Sequence, residues 1–215
     1  MLKVRHLQTS IQVSFKMQKT PIKSILAVAL ILTPIFSRAE KSGAFGFTFG
    51  EKIEAPKCSG SDQFPVHPQD GYCLVFNQIT GYQGSPAYTG VVSARFKYSD
   101  LPFWTGGKLS LYLIEGRIEG IIASTGGLTT SMSASDDLIK KYGQPTEKLV
   151  ATAQNGFGAS FDNTILIWDL PDVKVKYFPI FGNVKEGRID IFSPTGYESR
   201  QKSIKAAERP LTRGL

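Results

Sequence analysis

The sequence predicts an α+β domain, a largely antiparallel sheet with one main packed helix, held by one disulfide and preceded by a cleaved signal peptide. Three observations carry this reading. Short runs of β-branched and aromatic residues recur between glycine- and proline-rich connections, one segment has the start and stop chemistry of a helix, and the only two cysteines follow a secretory-type leader.

The leader comes first along the chain. Lys19 and Lys23 precede an apolar run, Ile25–Phe36, which is followed by Ser37, Arg38 and Ala39. A basic start, an apolar middle and small residues before a cut are the three parts of a signal peptide. A permanent helical span needs about 20 apolar residues, and Pro34 would break this shorter run near its end. No cysteine lies near Ala39 to take a lipid. Because the basic stretch directly before the apolar run opens at Met17, Met17 is read as the start, with 1–16 as a spurious or extended N-terminus. The expected organisation is then a signal peptide at 17–39, one domain at 40–197 and a basic, flexible tail at 198–215.

After the leader, Phe45, Phe47 and Phe49 alternate with small residues, the period of a strand with one buried face. Cys58 and Cys73 then read as a disulfide, since an even count so close in sequence pairs readily in an oxidising compartment. The loop they close carries Pro65 and Pro68 among turn formers, so it suits neither helix nor central strand. Tyr72–Ile79 and Gly90–Tyr98 follow as strands. Lys108–Ile114 and Ile118–Ile122 flank Glu115, Gly116 and Arg117, a short-turn hairpin signal.

A helix is predicted over 134–142. Ser133 and Asp136 have capping-box spacing, Asp136 and Asp137 occupy the first turn, and Lys140 and Lys141 occupy the last. Gly143 and Pro145 end it. Thr164–Trp168, Val173–Tyr177 and Arg188–Phe192 are further strands. Val173, Val175 and Tyr177 share one face, opposite Lys174 and Lys176, the pattern of an antiparallel strand wet on one side. From Glu198 the chain is polar and basic, which predicts a frayed helix or disorder.

The segment Leu138–Thr146, with Tyr142, Gly143 and Pro145 between a hairpin and the strand containing Trp168, resembles a group of small exported bacterial α+β proteins. In these, a short helix ending in Tyr-Gly-x-Pro is followed by an antiparallel sheet. The stretch Phe45–Gly50 is similar to the opening of the same kind of module, and the resemblance spans Phe45–Gly50 and Lys108–Phe192. Such groups include outer-membrane assembly lipoproteins and proteinaceous enzyme inhibitors, and the resemblance implies an exported α+β fold. This chain differs in lacking a lipid-attachment cysteine and in having a disulfide loop where a first helix often lies.

Charge narrows the function classes. The whole chain carries +7, from 25 basic and 18 acidic residues. Residues 1–39 hold six of the basic residues and no acidic one, leaving 19 against 18, or +1, in the rest. The positive balance belongs to the leader, so no nucleic-acid partner is expected. Neither Ser124–Gly127 nor Gly156–Gly158 has the lysine and hydroxyl of a phosphate loop, and no cofactor is expected. Cys58, Cys73 and His67 fall short of the four ligands of a structural zinc site, so no metal is assigned.

No residue is assigned a catalytic role. His67 is the one histidine after Ala39, and the carboxylate pairs Glu115 with Glu119, Asp136 with Asp137, and Asp169 with Asp172 each have a structural explanation in a turn or cap. Phe103 and Trp104, two large rings in a turn, are the candidate binding residues, because such rings dominate interfaces when exposed and otherwise cover one end of a sheet. The expected function is a non-enzymatic exported binding protein of the bacterial envelope, periplasmic or secreted, with a protein or cell-envelope partner and no stable membrane span after cleavage. The alternatives are a small envelope hydrolase using His67 or a carboxylate pair, and an inhibitor of an enzyme. Intact-mass analysis of the exported protein is expected to place its first residue at Glu40; a chain retaining Ile25–Phe36 would overturn the leader assignment.

Overall fold

The computed structural model describes residues 42–59, 68–76, 81–97, 100–154 and 158–208. Its central hairpin follows from two residues. Glu115 and Gly116 have φ of 51° and 73°, the paired left-handed geometry that suits a two-residue turn between twisted strands. They join β5 (Thr105–Ile114) to β6 (Arg117–Thr125), as the sequence predicts. At Gly116 a Cβ would also lie 2.1 Å from the Pro86 carbonyl oxygen, so a side chain has no room there.

The phenylalanine alternation does not form the single strand expected of it. Phe45 (φ 53°) and Gly46 (φ 80°) fold that segment into a small hairpin of β1 (Gly43–Ala44) and β2 (Phe47–Thr48). The remaining strands are β3 (Tyr72–Val75), β4 (Gly90–Phe96), β7 (Glu147–Gln154), β8 (Ser160–Asp169), β9 (Lys174–Phe178) and β10 (Gly187–Phe192). They join β5 and β6 in one antiparallel sheet with the order β3-β4-β5-β6-β10-β9-β8-β7. Two four-stranded meanders therefore meet where β6 pairs with β10. Each meander is followed by a helix, α1 (Ser131–Tyr142) after the first and α2 (Pro194–Ala207) after the second.

The two faces of the sheet are treated differently. On one face Val92, Leu111, Ile121, Ile189, Val175 and Trp168 form the core with Ala134 and Leu138 of α1. Helix α1 begins earlier than the capping box predicts, because a 3-10 turn over Gly127–Thr130 leads directly into it. Its N-cap is Thr130, with no side-chain cap bond; Ser131 and Ser135 instead donate to the carbonyls of Leu128 and Met132. The stop behaves as predicted, with Gly143 at φ 79° and its N–H bonded to the Ile139 carbonyl.

On the opposite face the register sets Tyr112 beside Gly120 and Gly120 beside Phe192. A Cβ at Gly120 would lie 2.3 Å from the Phe192 ring, so the glycine gives that ring its place. Helix α2 lies over β5, β6 and β10, and the helical alternative for the C-terminal segment is the one adopted as far as Ala207. Ser193 caps it by accepting from the Gly196 N–H at 2.9 Å, and Pro194 takes the first helical position, where a missing N–H costs nothing. The Ser193 hydroxyl in turn donates to Glu119, and Tyr112 bonds Ser199 at 2.9 Å.

The two edges of the sheet also differ. At β3 the Leu74 N–H donates to the Pro56 carbonyl and the Cys58 N–H donates to the Leu74 carbonyl, while the disulfide Cys58–Cys73 ties the same segment down. At the other edge β7 pairs, among the described residues, with β8 alone, and every residue of it but Ala153 is exposed. Substituting Gly196→Ala tests how closely α2 approaches the sheet, since its Cβ would lie 2.0 Å from the Glu119 carbonyl oxygen. Alanine is the better helix former by about 1 kcal/mol, yet overpacking costs about 1–3 kcal/mol. A net loss of stability is expected in urea unfolding, and a gain would show that the helix sits farther away.

Candidate functional site

Helix α2 covers only part of its face of the sheet, and the uncovered strands beside it form the site. A groove of about 420 Å³ runs between α2 and strands β8–β10, larger than three other clefts of about 270, 290 and 320 Å³. Its floor follows from strand alternation. With Val175 and Tyr177 buried in the core, Lys174, Lys176 and Phe178 turn to the other side, together with Arg188, Asp190 and Phe192 of β10. Cross-strand register places Asp190 opposite Lys176, and Lys176 opposite Ile167 of β8. Tyr197, Arg200, Gln201 and Ile204 form the helical wall, at the helical spacing of one face.

The charges of the groove are partly neutralised from within. Lys174 pairs with Asp169, and the Arg188 Nε donates to Asp190 at 2.6 Å. The Lys176 ammonium sits 5.1 Å from the centre of the Phe178 ring, and the Arg188 guanidinium 4.8 Å from that of Phe181, both within cation–π range. Asp190 thus lies among Arg188, Arg200 and Lys176. Burial nonetheless raises its carboxyl above the ordinary value, outweighing the lowering effects of the Arg188 hydrogen bond and of the three cations.

The residues singled out from sequence lie elsewhere. Phe103 and Trp104 separate. Trp104 is 3% exposed, with its Nε1–H donating to Asp137 at 2.8 Å and its ring edge-on to Phe45, whereas Phe103 is 78% exposed. The expectation that both rings stand at the surface is therefore corrected: Trp104 is buried, its indole nitrogen taking a partner from α1, and of the two only Phe103 is exposed. Trp104 lines a cleft of about 320 Å³ with Phe45, Asp137 and Tyr142, apart from the α2 groove. Cys58 and Cys73 form the disulfide, with Cα atoms 4.9 Å apart. His67 lies outside the described residues.

The carboxylate pairs take structural roles. Glu115 is in the hairpin turn, Glu119 accepts from Ser193, Asp137 accepts from Trp104, and Asp169 pairs with Lys174. Among the described residues no group of three metal-ligating side chains comes together, and no helix is long and apolar enough to cross a membrane. No known protein family, curated protein or solved structure matches the chain.

The groove escapes sequence reading because its parts come from β8, β9, β10 and α2. One signal was present: Lys174 and Lys176 alternate with core residues and so must share a face. The Asp190 shift makes a signed prediction. Its native pKa lies above the unfolded value, so stability falls as pH rises through the interval between the two, and the deficit persists at neutral pH. Asp190→Asn is expected to be more stable than the native protein at pH 7, with the difference vanishing once both Asp190 states are protonated in acid. Urea midpoints at the two pH values decide it, and a variant less stable at pH 7 refutes the burial argument.

Proposed function

We propose that the chain is an exported, non-enzymatic binding protein of the bacterial envelope, and that its ligand-contacting surface is the groove between α2 and strands β8–β10. The observation that carries this reading is an apolar lining left open beside fixed charges. Phe178, Ile167, Tyr197 and Ile204 line the groove, with Tyr197 and Ile204 41% and 37% exposed on the helical wall. A helix that existed only to cover the sheet would turn those two side chains inward. Apolar walls with a few positioned polar groups are the usual composition of a ligand site. The structural roles of Glu119, Asp137 and Asp169 favour binding over hydrolysis at those carboxylates, and the disulfide fits an oxidising compartment.

The test uses the disulfide-bonded protein as bait in envelope extract of the native host, beside Ile204→Glu and Phe103→Ala. Both positions are exposed, so unfolding temperatures should stay close to the native one. A saturable partner that survives moderate salt and is lost with Ile204→Glu supports the groove. A partner retained by Ile204→Glu but lost with Phe103→Ala moves the binding surface to the exposed ring and refutes it.

A further inference from the structure

We infer that the groove selects a soluble single-chain amphiphile with an anionic head, the head held by Lys176 and Arg200 and the chain lying along Ile167 and Ile204. This rests on the groove reading above and goes beyond it by naming the ligand chemistry.

A charge inventory carries the argument. The groove is lined by four cations, Lys174, Lys176, Arg188 and Arg200, and three carboxylates, Glu147, Asp169 and Asp190. Two pairs close internally, Lys174 with Asp169 and Arg188 with Asp190. Glu147 stands opposite Ile167, which stands opposite Lys176, so its backbone is two strand spacings, about 10 Å, from that of Lys176, and the two close no ion pair. Lys176 and Arg200 therefore have no carboxylate within pairing distance among the described residues. They come from different elements, β9 and α2, and both line the groove, where Lys176 stands opposite Asp190. A ligand anion there meets two cations that close no ion pair among the described residues, in a groove whose four cations outnumber its three carboxylates.

The same inventory excludes other occupants. A cationic amphiphile would place its head beside that unsatisfied positive charge. A small anion without a chain would leave the apolar lining wet. The volume, about 420 Å³, lies in the range that small-molecule sites occupy and suits one slender chain better than a two-chain lipid.

Isothermal calorimetry on the full disulfide-bonded protein tests this with three probes kept below micelle formation: decyl phosphate, decyltrimethylammonium and inorganic phosphate. Decyl phosphate is expected to bind saturably and one to one. Lys176→Gln and Arg200→Gln should each weaken it about tenfold, the usual loss for one charge-assisted hydrogen bond, at an unchanged unfolding midpoint. Decyltrimethylammonium should not bind, and inorganic phosphate should bind at least about tenfold more weakly, for want of the buried chain.

Equal binding of the cationic probe, or no effect of either substitution, overturns the anionic head. Absence of decyl phosphate binding overturns the ligand class. Should Ile204→Glu still abolish capture from envelope extract in that case, the groove remains the binding surface and only the ligand class falls. Decyl phosphate binding that survives Ile204→Glu, Lys176→Gln and Arg200→Gln places the amphiphile elsewhere and overturns both.

Discussion

Two aromatic side chains on neighbouring strands hold both ends of α1, and the arrangement of the rest depends on them. The Tyr177 hydroxyl donates to the Ser131 carbonyl at the start of the helix, and the Trp168 indole donates to the Gly143 carbonyl just beyond its end. Both rings are wholly buried, and register sets Trp168 opposite Val175, two residues from Tyr177 on β9. Burial pushes the Tyr177 phenol up to about 12, so it keeps the proton it donates. Truncating rings of this kind costs about 3–5 kcal/mol. With the helix tied at both ends across β8 and β9, one face of the sheet is committed to the core, and the alternating Lys174, Lys176, Arg188 and Asp190 must fall on the other.

What covers that other face is decided by two absent side chains. Without a Cβ at Gly120 the Phe192 ring can lie flat on β6, and without one at Gly196 the first turn of α2 can approach the Glu119 carbonyl. The helix is thereby fixed over β5, β6 and β10 and leaves β8 and β9 open beside it. On that open part of the face Asp190 is partly exposed, and desolvation still raises its carboxyl despite the three cations around it.

Legibility in the sequence followed the range of the interactions involved. The Glu115–Gly116 turn, the Gly143 stop and the alternation of Val173–Tyr177 each depend on a few adjacent residues, and each was readable. The disulfide was readable too, from count, spacing and compartment. The Ser133 capping box failed because the preceding 3-10 turn supplied the helix start. Strand β7 was invisible because exposure on both faces leaves no alternation to detect. The Phe103–Trp104 pair could not be divided from sequence, since the partner of the indole, Asp137, lies 33 positions away. The groove needed the register of β8, β9 and β10 and the position of α2, which no local pattern encodes.

The two edges of the sheet present different surfaces to another chain. A sheet with two open edges is a monomer with two reactive ends, and such monomers can add without limit into a fibre. Here one end is terminated, because Pro56–Cys58 occupies the outer side of Leu74 and a covalent bond keeps it there. The other end, β7, carries charge only at Glu147 and Lys148, and Val150 is 78% exposed. Among the described residues β7 is therefore the edge whose backbone groups stay open to another strand, and the disulfide guards the opposite edge, a role separate from any contribution to folding stability.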